Sequence, residues 1–418
     1  MIRQAKIVSE TSGFHNKTVD VLIESGVITE IKKTISAKGN VKVIEAEGLH
    51  LSTGWIDMQA VACDPGLEHK ETLDTLVRAA AAGGFTGVCV HSYTQPAMHN
   101  KMQIEYVVNK SQNKVVDVFP FGTITMDGKG KDMAEMYDMK SSGALAFSDY
   151  KHPVKDAGTV LRAMQYAANI GSLIITHCND ESISHGGQMN EGETAVTLGL
   201  KGIPALAEEL MIQRNLSILE YAEGRLHIPT VSTRGGVELI KKAKASGLNV
   251  TAGVAAVNLY LDDSELKEFD TRYKTDPPLR TRRDVQALCN AVANGVIDVI
   301  VSDHLPQDVE SKELEFDLAD HGIINLQTAF NCALEGLKEK NIESLVKALT
   351  DNPRSILGLE QPAIEEGQPA NLTLFALNEE FVFTERLNYS RSRNSPFLGE
   401  TLKGRVVGII NGSKSFFN

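Results

Sequence analysis

Eight short apolar runs alternate with longer helical patterns between about residues 53 and 303, and this alternation constrains the fold more than any other feature. The runs cover residues 54–61, 85–92, 114–123, 144–148, 172–177, 225–232, 248–253 and 297–302. Between them, apolar residues recur every three or four positions in segments such as 71–82, 157–170, 205–222, 237–245 and 283–293, which indicates helices. Eight strand and helix repeats of this kind predict an α/β fold with a (β/α)8 barrel, whose functional residues lie at the C-terminal ends of the strands.

The two ends of the chain have a different pattern. Residues 1–50 contain short strand-like runs at 5–9, 18–24, 27–32 and 41–46, and residues 361–385 and 403–418 are similar. Two β-rich ends that flank a barrel predict that both pair into one small β-sandwich. We therefore expect a sandwich domain from residues 1–51 and 359–418, and a barrel domain from residues 52–358.

Composition and charge narrow the class of protein. The chain has 418 residues, of which 42% are hydrophobic, and this suits one large domain and a smaller one. Its formal net charge of −12 argues against a nucleic-acid surface or an anionic membrane face, because both need clustered Lys and Arg. The N-terminus lacks the pattern of a signal peptide, and no apolar run approaches membrane-spanning length. We expect a cytoplasmic protein with neither nucleic acid nor membrane as a partner.

Short phrases in a fixed order along nearly the whole chain carry a resemblance to a known family. They include Gly83-Gly84-Phe85-Thr86, Ala146-Phe147-Ser148-Asp149, His177-Cys178, Met189-Asn190-Glu191-Gly192, Pro277-Pro278-Leu279-Arg280, Ser302-Asp303-His304 and Ser392-Arg393-Asn394. Through these phrases the chain resembles bacterial dihydroorotases, which are cyclic amidohydrolases of the amidohydrolase superfamily. The resemblance implies a TIM-like barrel of the metal-dependent hydrolase type and a place in pyrimidine biosynthesis.

The first metal positions of that family fall in residues 56–66. There the family's first barrel strand ends in Asp-Met-His-x-His, and because side chains alternate along a strand, the two histidines face the same side and grip one zinc ion. In this chain the corresponding residues are Gln59 and Val61. Glutamine is a poor zinc ligand and valine is none, so the resemblance implies that this pair of ligands has been lost.

The remaining metal positions are also altered. The acid of strand four corresponds to Tyr150, and the histidine of strand six corresponds to Thr230. Only His177 on strand five and Asp303 on strand eight survive as family ligand positions. Losing a single residue that supports a ligand typically weakens metal binding or activity by roughly 10–100-fold. The resemblance therefore implies no functional zinc pair, and we expect no cofactor.

The resemblance implies that the substrate positions of the family are altered as well. The arginine that clamps the substrate carboxylate corresponds to Cys63, and the asparagine of the second loop corresponds to Tyr93. Asp276 stands in place of a neutral asparagine, and Gln307 stands in place of a histidine. Metal site and substrate clamp have thus both degenerated.

Two routes would keep a metal in the barrel. Lys151 could be carboxylated and bridge two ions, but it lies one residue beyond the matched position and would point to the other face if the strand continued. His91 could join His177 and Asp303 in a single-zinc site, since two histidines and an aspartate form an acceptable catalytic set. In that active alternative, Asp303 would be the general base.

Three functions follow from these residues. The first is a non-catalytic dihydroorotase-like protein, a pseudoenzyme with a structural or regulatory role in pyrimidine biosynthesis. It would form a homodimer and assemble with aspartate transcarbamoylase or another pyrimidine enzyme, as the resemblance implies. The second is an active amidohydrolase that hydrolyses dihydroorotate or another cyclic amide at an atypical zinc site. The third is a small-molecule binding protein that uses the barrel mouth.

Overall fold

The structure is a computed structural model, and it describes residues 1–36 and 41–418. Its strands are β1 (Ile2–Ile7), β2 (Thr18–Glu24), β3 (Val27–Lys32), β4 (Leu49–Thr53), β5 (Trp55–Ala60), β6 (Phe85–Val90), β7 (Asp117–Pro120), β8 (Ala146–Phe147), β9 (Leu173–Ile175), β10 (Met189–Asn190), β11 (Gly202–Ile203), β12 (Leu226–Ile228), β13 (Val250–Ala255), β14 (Val299–Val301), β15 (Asn371–Val382), β16 (Thr401–Asn411) and β17 (Lys414–Phe417).

The α-helices of the described residues alternate with these strands. They are α1 (Leu73–Ala82), α2 (Lys101–Lys110), α3 (Met136–Ser141), α4 (Ala157–Asn169), α5 (Glu181–Ser184), α6 (Glu193–Leu198), α7 (Ala205–Ala222), α8 (Arg234–Ala245), α9 (Arg282–Ala293), α10 (Val309–Lys312), α11 (Ala329–Leu337), α12 (Ile342–Leu349) and α13 (Asp351–Leu357). No helix in the described part of the chain is long and apolar enough to cross a membrane.

Eight parallel strands close into the predicted barrel. Strands β5, β6 and β7 form one parallel sheet, and β8, β9, β12, β13 and β14 form a second. Single parallel bridges between Gly122 and Phe147 and between Ala60 and His304 join the two sheets at both seams. The (β/α)8 prediction is confirmed, because each of the eight predicted runs overlaps one barrel strand.

The first barrel helix, α1, illustrates how the sequence determines where a helix begins and which of its faces is buried. The Thr72 side chain accepts a hydrogen bond from the backbone N–H of Thr75 and caps α1, which satisfies a donor that the helix itself cannot pair. Leu73, Leu76 and Val77 recur at helical spacing and are buried. The helix therefore begins at a polar cap and packs its apolar face against the barrel.

Both chain ends pair into one seven-stranded sheet in the order β17, β16, β15, β4, β1, β2, β3. The sheet curls back on itself. Val27, at the start of the edge strand β3, forms a bridge with Pro369, which lies just before β15. Buried side chains such as Ile2, Leu51 and Leu372 form a core of its own inside this curl. The sandwich prediction is confirmed, whereas the domain limits at residues 51/52 and 358/359 stay a prediction.

One predicted strand is wrong. Residues 41–46 contain only an isolated bridge from Ile44 to Ile2, because the chain there runs beside β1 without a continuous ladder. The four residues that precede this segment, 37–40, lie outside the described residues.

The barrel and the terminal sheet meet around Trp55, which is fully buried at the start of β5. Its ring lies 5.3 Å from that of Phe375 in β15 and 5.1 Å from that of Phe330 in α11, measured between centroids. Its indole N–H donates to the Ser52 hydroxyl at 2.9 Å. The ring of Trp55 thus packs against both the barrel and the terminal sheet, and its N–H group has a hydrogen-bond acceptor.

Candidate site at the barrel mouth

The end of strand β5 carries the two positions at which the resemblance implies metal-binding histidines. Gln59 and Val61 are both fully buried there. The side-chain oxygen Oε1 of Gln59 has no hydrogen-bond partner among the described residues. Val61 packs in a small apolar cluster with Cys63, Tyr150 and Leu305. Three of these four side chains stand at positions where the family has a metal ligand or the substrate clamp, and here they contact one another instead.

Tyr93 extends this apolar cluster toward the surface. Its ring packs against the cluster and lies 5.9 Å from the ring of Tyr150, in an edge-on arrangement. Burial raises the pKa of the Tyr150 hydroxyl well above its ordinary value, and burial likewise raises the pKa of the Cys63 thiol. Both groups therefore remain uncharged at neutral pH.

Asp303 keeps its place at the end of β14 but holds a cation of the protein itself. Its Oδ2 accepts a hydrogen bond from the Lys151 ammonium at 2.8 Å, and the two side chains are only 4% and 10% exposed. The same ammonium donates to the backbone carbonyl of Asp276. Burial raises the pKa of Asp303, although the charge of Lys151 opposes this shift. The carboxylate that would be the general base is therefore tied into an internal ion pair.

The direction expected for Lys151 depended on strand four continuing to that residue, and this condition is not met, because β8 ends at Phe147. Tyr150 then has a φ of 57°, which is uncommon for a bulky side chain and turns the backbone away from strand geometry. The ordinary alternation of side chains no longer applies, and Lys151 points into the barrel mouth.

His177, the other surviving ligand position, lies beside Asp276. Its Nε2 is 3.4 Å from Asp276 Oδ2, and its Nδ1 has no hydrogen-bond partner among the described residues. Desolvation raises the pKa of Asp276, but His177 and Lys151 overcome this and hold it well below its usual range. Thr230 stands at the strand-six position and is buried. Its hydroxyl has no hydrogen-bond partner among the residues that the structure describes.

His91 directly follows β6, and its Nδ1 has no hydrogen-bond partner among the described residues. Its Nε2 lies 3.2 Å from the backbone carbonyl of Met58, and its ring packs against Phe121 and Tyr150. Burial lowers the pKa of His91 to about 3, so the imidazole is neutral. Across residues 1–36 and 41–418, no cluster of three or more His, Cys, Asp or Glu side chains could hold a metal ion. The residues of the single-zinc alternative are thus not assembled as a ligand set, and the alternative stays a prediction.

Two lysines at the mouth were missed or misjudged by sequence reasoning. Lys151 was considered only as a carboxylated ligand, and Lys70 was not considered. The Lys70 ammonium lies 2.5 Å from Gln307 Oε1, and the Gln307 amide donates to the His321 carbonyl at 2.8 Å. These partners come from distant parts of the chain, so spacing along the sequence could not have revealed them.

Comparisons with known proteins agree with this architecture. A model of the dihydro-orotase-like family matches residues 48–236. The dihydroorotase of Acetivibrio thermocellus is 39% identical and covers 95% of this chain and 94% of its own length. The dihydroorotase of Trichlorobacter lovleyi is 37% identical over 100% of this chain and 99% of its own length.

Solved structures support the fold alone. An L-hydantoinase from Arthrobacter aurescens superposes with a TM-score of 0.86 at 23% identity, over 99% of this chain and 95% of that one. A D-hydantoinase superposes with a TM-score of 0.83, also at 23% identity, over 100% and 95% of the two chains. The full-length sequence matches are what establish descent: the chain belongs to the dihydroorotase family.

Proposed function

We propose that this chain is a non-catalytic member of its family, a pseudoenzyme with a structural or regulatory role in pyrimidine biosynthesis. The relatives named dihydroorotase, at 37–40% identity, support the pathway. The observation that carries the loss of catalysis is the ion pair between Lys151 and Asp303. The Lys151 ammonium balances the charge of the Asp303 carboxylate, to which the family resemblance assigns metal binding and proton transfer.

The donor set does not fit a zinc pair. Gln59, Val61 and Thr230 offer no imidazole, and Tyr150 is a buried phenol in an apolar cluster. The Lys151 ammonium adds repulsion, because a unit charge at about 4 Å costs roughly 4 kcal/mol per charge of the incoming ion at an effective dielectric of about 20. Without a metal, water keeps its high pKa, and a lone carboxylate activates it poorly.

Metal analysis of the purified protein, combined with a dihydroorotate assay, tests this function. We expect far less than one zinc per chain and no turnover at ordinary enzyme rates of roughly 1–10³ s⁻¹. The dihydroorotase of Acetivibrio thermocellus, assayed in parallel, is the control for the conditions. About two zinc per chain with turnover that Asp303→Asn abolishes would contradict the proposal. About one zinc would favour the site with His91.

Small-molecule binding at the mouth is the second candidate. It is favoured by the buried polar atoms that lack partners among the described residues, which include Gln59 Oε1, Thr230 Oγ1 and Asp303 Oδ1. Buried polar atoms normally have a partner, which can be ordered water or a ligand. Calorimetric titration with dihydroorotate separates the two candidates, since heat of binding without hydrolysis supports this one.

A structural role requires partners. We propose a homodimer as the resting state, and aspartate transcarbamoylase or another pyrimidine enzyme as the assembly partner. Co-purification from the native cell should recover such an enzyme, and the complex should survive removal of divalent metal. A protein that elutes alone, and whose deletion leaves transcarbamoylase assembly unchanged, would point to the binding role instead.

A further inference from the structure

A second cavity lies at the opposite end of the barrel from the mouth. It occupies about 370 Å³ between the N-terminal ends of β5, β6 and β7 and the terminal sheet. Ile56 and Phe119 form part of an apolar wall, and Arg354, Asn371 and Asn411 line it with polar groups. Small-molecule sites typically measure roughly 300–1,000 Å³ and combine an apolar lining with a few fixed polar groups.

Arg354 is the most informative residue of this cavity. It is 3% exposed, and its guanidinium donates to two neutral acceptors, the Thr350 carbonyl at 3.2 Å and Asn371 Oδ1 at 3.1 Å. Burial lowers the pKa of Arg354 to about 10, which leaves it cationic at neutral pH. The charges of Asp351 and Asp117 oppose this lowering, but among the described residues neither carboxylate forms an ion pair or hydrogen bond with the guanidinium. A buried cation of this kind is costly unless an anion compensates it.

Two amides connect Arg354 to a carboxylate at the rim. Asn371 Nδ2 donates to Asn411 Oδ1 at 3.0 Å, and Asn411 Nδ2 donates to Asp117 Oδ2 at 3.1 Å. Asp117 is exposed, and Glu360 adds a second carboxylate to the lining. The cavity therefore has a cation at its buried end and negative charge at its open end.

The chain leaves space for this polar wall at Gly54. A Cβ atom on that residue would lie 2.1 Å from Thr86 Oγ1 and 2.2 Å from Asn371 Oδ1, which are bonded to each other at 3.0 Å. Only glycine permits this approach. The amide of Asn371 is thus held in one orientation, with its oxygen on Arg354 and its nitrogen on Asn411.

We propose that this cavity binds a small zwitterion, with a carboxylate on Arg354 and an ammonium group at Asp117 and Glu360. A carboxylate matches the planar fork of a guanidinium and forms charge-assisted hydrogen bonds with it. Because two side-chain amides separate Arg354 from Asp117, the charged ends of the ligand lie several bonds apart. The rim carboxylates disfavour dianions such as phosphate. This site is separate from the barrel mouth and does not depend on whether the mouth is active.

Calorimetric titration with a series of ω-amino acids tests the site. The probes are glycine, 3-aminopropionate, 4-aminobutyrate and 6-aminohexanoate, with butyrate and inorganic phosphate as comparisons. We expect affinity to pass through a maximum along the series, and 4-aminobutyrate to bind more tightly than butyrate. Equal binding of butyrate, or tighter binding of phosphate, would overturn the zwitterion, and no binding by any probe would overturn the site.

Matched variants locate the binding. Arg354→Gln should weaken binding of both 4-aminobutyrate and butyrate by about tenfold or more, since a charged hydrogen bond is lost. Asp117→Asn lies on the exposed rim and tests the other end, even if Arg354→Gln fails to fold. It should remove the preference for 4-aminobutyrate over butyrate and leave butyrate binding in place. Arg386→Gln is the exposed control and should change nothing. Binding that is insensitive to both cavity variants would refute the assignment.

Discussion

At the scale of single residues, the barrel mouth joins one surviving family position to a cation of the chain and packs other family positions against one another. Asp303 holds Lys151 at 2.8 Å, and Val61, Cys63 and Tyr150 pack together. The charge of Asp303 is thus balanced within the chain, and three altered positions pack against one another. Gln59 Oε1 and Thr230 Oγ1, by contrast, have no hydrogen-bond partner among the described residues.

Removing the ammonium should destabilise the protein. Lys151→Met leaves Asp303 as a buried carboxylate without its cation, and breaking a buried pair on one side typically costs about 3–5 kcal/mol. The double variant Lys151→Met with Asp303→Leu should recover most of this loss, because both charges are then absent. Denaturant unfolding of the single and double variants measures the difference. An equally stable single variant would show that the pair contributes little.

Buried histidines should make stability fall as the pH is lowered. The pKa of His91 is about 3 in the folded protein against an ordinary value of 6.5, so the unfolded chain binds a proton that the folded chain rejects. The stabilisation is present above pH 6.5 and is lost as pH falls toward 3, by about 1.4 kcal/mol per pH unit for each such histidine. His227 has a similarly lowered pKa of about 3 and adds to this slope.

The matched variant is His91→Gln, which lacks the titrating group. Its unfolding free energy, measured between pH 6 and pH 4, should fall less steeply than that of the parent, by about 1.4 kcal/mol per pH unit. Parallel slopes would mean that His91 is protonated in the folded protein.

At the scale of elements, sequence patterns located the barrel well and the mouth less well. Helix α7 spans Ala205–Ala222, as its periodicity predicts, because apolar residues recur along its whole length even though Glu208 and Asn215 interrupt its buried face. Seven of the eight barrel strands are shorter than the apolar runs that predicted them, since those runs continue into buried loops, and β8 has only two residues. Strand β13 is as long as its run but ends two residues later. Among the candidate positions, Val61, Cys63 and Tyr150 lie together at the mouth, and His177 lies beside Asp276. The partner of Asp303 was not foreseen, because a backbone turn at Tyr150 is invisible to an argument from alternation.

The short β8 strand and its loop are held by the apolar cluster of Val61, Cys63, Tyr150 and Leu305. Restoring a histidine by Val61→His should therefore destabilise the fold by about 1–3 kcal/mol, because a polar ring is buried without an assured partner. Val61→Ile is the control for volume. If Val61→His leaves the free energy of unfolding unchanged, or if the variant binds zinc and becomes more stable, the packing of this cluster contributes less to stability than its burial indicates.

At the scale of the whole molecule, Trp55 joins the barrel to the terminal sheet, and it is the single tryptophan of the chain. Its fluorescence therefore reports on the junction, whereas circular dichroism reports on all helices and strands. We expect the two transitions to coincide in denaturant, because the junction is buried in the large core. Trp55→Phe should lower the midpoint less than Trp55→Ala, which should cost about 3–5 kcal/mol. Separate transitions in the parent would show that the two parts unfold independently.

The pairing of both chain ends in one sheet also has a consequence for synthesis. Strand β4 (Leu49–Thr53) pairs with β15, so it lacks this partner until the chain from residue 371 onward has been synthesised. At roughly 5–20 residues per second, a ribosome makes the intervening chain in about 15–60 s. During that time β1 to β4 lack the other three strands of their seven-stranded sheet, while the barrel strands emerge in the order in which they pair. A newborn chain is therefore most exposed to premature association at its N-terminus, and a holding chaperone would act there.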